Sequence, residues 1–271
     1  MYYKISNKII AELAVRATVM ILASGNFDGA KKACDISEIC EIYQNIDTPH
    51  PIFIDSYLDA DEKNTFFGSF TNAENLLLTT NHSLRFLEKQ KNLKTISVMS
   101  QNAVKLWDMS KNPGLKTVVL DCPVLCDLDG FANSSVEDVT VKSHFSPDSV
   151  DAFTIVENLH TLKLKYISVK NKENALISFS KCKSLEEIAL PRELFTFEQF
   201  CWLKSKIPAC KGLFAEYDFF KDREKGCYAF SVIGSNMPDH ELTDSHDGAQ
   251  KYIDMQSALV EKYTNQPFPP E

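Results

Sequence analysis

Apolar positions recur in a fixed template through the middle of this chain. In LHTLKLKYISV, residues 159–169, Leu159, Leu162, Leu164, Ile167 and Val169 take the first, fourth, sixth, ninth and eleventh places. The template reads Leu185, Ile188, Leu190 and Phe195 in LEEIALPRELF, and Leu115, Val118, Leu120 and Leu125 in LKTVVLDCPVL. Shorter versions are Ala73, Leu76 and Leu78; Leu93, Ile96 and Val98; and Val136, Val139 and Val141. With Pro49 as the first start, the starts fall at 49, 73, 93, 115, 136, 159 and 185. The intervals run only from 20 to 26 residues. Seven segments held within that band are the mark of a stacked repeat.

Alternate side chains of a strand point to opposite faces. The fourth and sixth places therefore enter a core, and the third and fifth face solvent on a parallel sheet. The return segments carry Val104, Leu106, Trp107, Val150, Phe153, Ile155, Leu176 and Phe179, which are expected to cover the core's other side as helices or irregular turns. One such unit cannot bury its apolar face alone; a stack can.

The flanks read differently. Residues 1–46 are predicted to be helical, because Ile10, Leu13, Ala14, Ala17, Met20 and Ile21 recur at three- and four-residue steps before the Gly25–Asn26 break. They form an N-terminal cap in this reading. The period turns helical again over residues 195–206. Residues 212–220 and 226–234 read as a strand hairpin across the charged turn KDREK. SNMPDHELTDSHDG reads as a polar loop, and residues 248–264 as an amphipathic helix with Tyr252, Ile253, Met255, Leu259 and Tyr263 on its apolar face.

The LxxLxL segments resemble leucine-rich repeats over Pro49 to Phe195, with continuation towards Tyr217. SFSKCKSLEEIALP, residues 178–191, is similar to the irregular BspA-like class, in which a Phe and a Cys precede the strand and a Pro ends it. Only Asn81 supplies a ninth-place asparagine, which implies an irregularly curved stack. The fold expected is α/β: a leucine-rich-repeat solenoid with a parallel sheet, an N-terminal helical cap and a C-terminal α+β cap. The divisions are 1–46, 47–211 with about seven units, and 212–271.

Composition narrows the function. With 44% hydrophobic and 24% charged residues the chain is globular, and its net charge of −8 argues against nucleic-acid binding, which needs a basic footprint. The most apolar stretch, residues 9–25, is interrupted by Glu12 and Arg16 and fits neither a membrane span nor an export signal. Eight cysteines form no CxxC pair, so they read as small buried hydrophobes in a reducing, cytoplasmic setting. The chain lacks GxxxxGK[ST], GxGxxG and GxSxG, so no cofactor and no catalytic residue is assigned. The chemical alternative is the loop Asp239–Asp247, where Asp239, His240, Glu241, Asp244, His246 and Asp247 could serve an enzyme or a metal-dependent module. Its histidines stand six apart, unlike HExxH.

The resemblance implies a protein partner docked on the sheet face. The third-place column offers Thr117, Asp138, Thr161 and Glu187, and the fifth-place column Thr140 and Lys163. Beyond the strands come Asp121, Lys142, Lys165 and Tyr166. Lys142, Lys163 and Lys165 are expected to steer an acidic partner, with Tyr166 as an aromatic anchor. A scaffold, an inhibitor or immunity-type protein, and a BspA-like surface adhesin are the roles this leaves open.

Overall fold

The computed structural model describes residues 52–54, 74–79, 83–221, 227–239, 241–243 and 246–270. The predicted N-terminal cap over 1–46 and the ninth-place Asn81 lie outside them.

Seven strands form one parallel sheet in sequence order: β1 (Ile52–Ile54), β2 (Asn75–Thr79), β3 (Thr95–Met99), β4 (Thr117–Asp121), β5 (Asp138–Lys142), β6 (Thr161–Lys165) and β7 (Glu187–Ala189). The register matches the template residue for residue. Ile96, Val118, Val139, Leu162 and Ile188 stand side by side, as do Val98, Leu120, Val141 and Leu164. All nine are at most 2% exposed, so the fourth and sixth places form two continuous apolar rows. The first-place residues Leu93, Leu115, Val136, Leu159 and Leu185 close the core at the strand entrances. The result is a leucine-rich-repeat-like parallel solenoid.

Each unit is stitched to its neighbour before its strand begins. Lys94, Lys116, Glu137, His160 and Glu186 donate their amides to the carbonyls of Glu74, Lys94, Lys116, Glu137 and His160, at 2.6–2.9 Å. Lys211 repeats the move onto Glu186 at 2.8 Å and bridges Glu187, extending the stack one rung past β7. Gly212 then leaves the sheet at φ 93°. A side chain there would meet the Ile188 carbonyl at 1.9 Å, so close approach and backbone conformation both demand glycine.

The return segments are mostly short 3-10 turns, at Leu84–Lys89, Met109–Lys111, Asp129–Phe131 and Asp151–Ile155, and then helix α1 (Lys172–Lys181). Small polar side chains hold their first amides: Asp108, an N-cap, accepts from the Ser110 amide at 3.1 Å, and one place ahead of the N-cap Asp127 accepts from Asp129 at 2.9 Å and Ser149 from Asp151 at 2.9 Å. Inside them runs a file of buried aromatics. Phe131 meets Phe153 at 5.1 Å between ring centres, Phe179 meets Phe195 at 6.3 Å, and Phe195 meets Phe200 at 5.4 Å. Trp107, Val150, Phe153, Leu176 and Phe179 are buried as expected, and Leu106 is half-buried. Val104 and Ile155 are not buried; they are 46% and 47% exposed. Ile155 ends a 3-10 turn, which eclipses every third residue and sends fewer side chains to the core than a helical period implies, and Val104 lies in irregular backbone ahead of its turn.

One polar residue sits at the centre of this packing. Asn112 is fully buried; its Nδ2 donates to the carbonyls of Leu87 and Gln90 at 2.8 Å, and its Oδ1 accepts from Trp107 Nε1 at 2.8 Å. It joins two repeats, giving the buried Trp107 Nε1–H its acceptor and adding a second donor to carbonyls that already accept from the Gln90 and Leu93 amides.

The C-terminal part packs against the end of the stack. Helix α2 (Phe197–Lys206) opens on a capping box between Thr196 and Gln199. Strands β8 (Glu216–Lys221) and β9 (Tyr228–Val232) form the expected antiparallel hairpin. The segment read as a polar loop contains a third strand, β10 (Glu241–Thr243), antiparallel to β9, and a 3-10 turn at His246–Ala249. Its single apolar residue, Leu242, is 47% exposed, so no alternation marked it as a strand. Helix α3 (Gln250–Tyr263) buries Tyr252 and Tyr263, while Ile253 and Met255 are exposed rather than facing the core. Gln256 accepts from the Ala215 amide at 2.9 Å and donates to the Leu213 carbonyl at 3.0 Å, and Lys206 Nζ donates to the Tyr263 carbonyl at 2.9 Å. These bonds tie α3 to α2 and to the end of the solenoid.

Two substitutions separate core from face. Leu164→Ala should destabilise the fold by about 2–5 kcal/mol, and Asn112→Ala by about 1–3 kcal/mol, since it leaves the buried Trp107 Nε1–H without its acceptor. Lys163→Ala should change stability by no more than about 1 kcal/mol. Urea denaturation midpoints at constant slope check the order.

Candidate docking surface

The sheet face carries the polar columns the sequence assigns to it. Thr117, Asp138, Thr161 and Glu187 lie in one row, Thr140 and Lys163 in the next, and Asp121, Lys142 and Lys165 in the third. Thr161 and Lys163 were expected to be exposed; they are half-buried. Strands about 4.8 Å apart shield one another's side chains, so a sheet face is never as open as a helix face.

The lysines are also less free than expected. Lys142 Nζ stands 3.1 Å from Asp121, and Lys163 Nζ 2.8 Å from Glu187. Each pair spans two neighbouring strands. Lys94–Glu74 at 2.8 Å and Lys116–Glu137 at 2.7 Å repeat the arrangement at the strand entrances. Two of the three lysines proposed to steer a partner thus have their charge neutralised in place. Lys165 is exposed and makes no ion pair among the described residues.

The position after each strand is where the face changes character. Ser100, Cys122 and Ser143 turn inward there and are at most 2% exposed. Ser143 shows why: its hydroxyl donates to the Pro123 and Leu125 carbonyls at 3.2 and 2.9 Å, sealing the turn to the previous repeat. The unit of β6 has Tyr166 at this place. Its backbone adopts φ 62° and its side chain is 65% exposed. A bulky residue in the left-handed region is strained by roughly 1–2 kcal/mol. The ring stacks on His144 of the preceding unit, centres 5.2 Å apart and planes at 21°. Phe145 next to it and Met99 two strands away are 51% and 47% exposed. The sheet's C-terminal rim therefore presents apolar side chains where its face presents polar ones.

Tyr166 and Lys165 also wall a groove of about 360 Å³, floored by Leu164, Ala189 and Leu190 and closed by Pro191, Arg192 and Glu193. Its lining is mainly apolar. Arg192 is committed elsewhere: it donates to the carbonyls of Val232 at 3.2 Å, Met237 at 2.9 Å and Pro238 at 3.3 Å. That clamp fixes the groove's far wall to the C-terminal part. Of the residues assigned from the sequence, Lys165 and Tyr166 converge on this groove. Thr117, Asp121, Asp138, Thr140 and Lys142 lie on other strands of the face. The second wall, Pro191–Glu193, was visible in the sequence only as residues past a strand end.

In the alternative loop, Asp239 accepts from the Ser231 hydroxyl at 2.8 Å and lies 3.6 Å from Arg192. Glu241 accepts from the Tyr252 hydroxyl at 2.7 Å, and this bond holds its carboxyl below the ordinary glutamate value. Both carboxylates hold the C-terminal part together. His240 and Asp244 lie outside the described residues. No group of three or more metal-ligating side chains occurs among the described residues. Burial pushes the thiols of Cys182 and Cys201 up to about 12, and those of Cys122 and Cys210 to about 11. Such thiols pack; they do not attack.

No family model matches this chain, and neither does any curated protein. Among solved structures it is similar to the functional domain of InlJ from Listeria monocytogenes, described as including a cysteine ladder, with 11% identity and a TM-score of 0.43. The likeness covers 75% of this chain and 57% of that one. No helix among the described residues is long and apolar enough to cross a membrane.

Reversing both paired lysines, Lys142→Glu with Lys163→Glu, would set carboxylates against Asp121 and Glu187 on adjacent strands. The double variant should lose about 1–2 kcal/mol of stability, where the sequence alone implied an unchanged unfolding midpoint. The thiols give a pH prediction of defined sign. Their folded values lie above the unfolded value, so the stability they contribute is complete below pH 9 and declines as pH rises towards 11–12. At pH 8, iodoacetamide should label Cys126 before Cys122, Cys182, Cys201 or Cys210, with mass spectrometry as the readout.

Proposed function

We propose that this protein is a non-enzymatic protein-binding module that docks its partner on the sheet face, centred on the groove between Tyr166 and Pro191–Glu193. The observation that carries the reading is Tyr166 itself: a tyrosine held at φ 62° and 65% exposed, where the repeats of β3, β4 and β5 bury a serine or cysteine. Folding gains nothing from that strain, and strained exposed residues collect at functional sites. Tyrosine is also enriched among the residues that dominate binding energy. Seven strands make a wall roughly 30 Å long, enough for an interface of about 800 Å² per partner. Thr140, Thr161 and Lys163 supply a wettable apron beside the anchor.

Within this reading the solenoid is of the irregular BspA-like class, on the strength of residues 178–191, and the protein works in a reducing interior as a scaffold or an inhibitor of the immunity type. The buried thiols support that setting.

The test uses one variant with two opposite expectations. Tyr166→Asn retains a residue that tolerates left-handed backbone, so stability should hold or rise by up to about 1 kcal/mol. Affinity capture from the native source with wild-type protein as bait should retain a partner that Tyr166→Asn bait does not. A partner retained equally by both would place the interface elsewhere.

A further inference from the structure

The groove has a chemistry as well as a shape, and resting on the docking role proposed above, we infer that it takes an extended segment of a partner protein in which a large apolar side chain stands beside a carboxylate. Three observations converge on that occupant. The groove is mainly apolar where it is open: the Tyr166 ring, 65% exposed, and the half-buried Ala189 line it above the buried Leu164 and Leu190. Its volume of about 360 Å³ suits one or two side chains and not a folded element. The Tyr166 ring, propped from behind by His144, gives an inserted apolar group a flat wall.

Charge fixes what flanks that group. Lys142 and Lys163 are satisfied by Asp121 and Glu187, whereas Lys165 stands at the groove with no carboxylate against it among the described residues. Arg192 adds nothing for a ligand, because backbone carbonyls and Asp239 take its guanidinium. The groove thus offers one cation on one wall. A phosphoryl group wants several convergent donors, so a single carboxylate is the better match. Glu193, which also lines the groove, is paired with the Arg192 guanidinium at 3.3 Å and leaves Lys165 as the groove's unpaired charge among the described residues. The segment carries its carboxylate on the Lys165 side.

A random peptide library displayed on phage, panned on the full chain, tests this without knowledge of the natural partner. Wild-type protein should enrich peptides in which Asp or Glu lies within a residue or two of Leu, Ile, Met, Phe or Trp. Lys165→Glu should bind those peptides about tenfold more weakly, and panning on it should enrich Lys or Arg at the acidic place while keeping the apolar residue. Tyr166→Asn should lose both sets. Wild-type peptides that need Tyr166 but carry no acidic residue, or a charge preference that Lys165→Glu leaves unaltered, overturn the acidic occupant while the docking role stands. No enrichment on wild-type protein, or enriched peptides that bind Tyr166→Asn as well, overturns the occupant and the docking role together.

Discussion

Every repeat in this protein depends on its neighbour for the other half of its hydrogen bonds and for the cover of its leucines. A strand of five residues with two inward apolar side chains has no stability of its own. Stacked in register at about 4.8 Å, the fourth and sixth places become two unbroken apolar rows, and the amide before each strand finds the carbonyl one repeat back. Two of the buried polar side chains serve as cross-links between repeats. Asn112 ties the Trp107 turn to the Leu87–Gln90 turn, and Ser143 ties one strand exit to the last.

The same constraint shapes the surface. Residues that face water on the sheet still stand against the residues one strand away, so charges there must match across the ladder. Lys142 with Asp121 and Lys163 with Glu187 are such matches, and they specify register at little cost or gain in stability. A slip by one residue would turn every leucine outward. The proposed docking site lies where this logic is broken. Lys165 lacks the facing carboxylate, and Tyr166 lacks the inward turn that Ser100, Cys122 and Ser143 make. Both breaks fall at one groove.

How far this was legible in the sequence follows from which interactions are local. The strands β3 to β7 were readable to the residue, because LxxLxL encodes burial with period two and nothing competes with it. The hairpin β8–β9 was readable from its two apolar runs about a charged turn, and helix α3 from its period, though Ile253 and Met255 on its expected apolar face are exposed. Asn112 was not: its role lies in bonds to residues 22 and 25 positions away, and it stands before its strand, not at the ninth place after it. The strand β10 escaped because its pairing to β9, not its composition, makes it a strand. At the site, Tyr166 was legible as an aromatic on the rim. The groove was not, since its second wall is placed by Arg192 reaching carbonyls about forty residues further along the chain. The pairing of Lys142 and Lys163 was within reach of the sequence, because the assigned register already set Asp121 beside Lys142.

The central claim is that recognition occurs at the C-terminal rim of the sheet around β6 and β7. Amide hydrogen exchange, followed with and without the captured partner, tests it most directly. The account predicts added protection at 143–145, 165–167 and 189–193, with exchange unchanged in the 3-10 turns at 109–111 and 129–131 on the opposite side. Protection confined to those turns or to helix α3, with residues 165–167 unaffected, would contradict it.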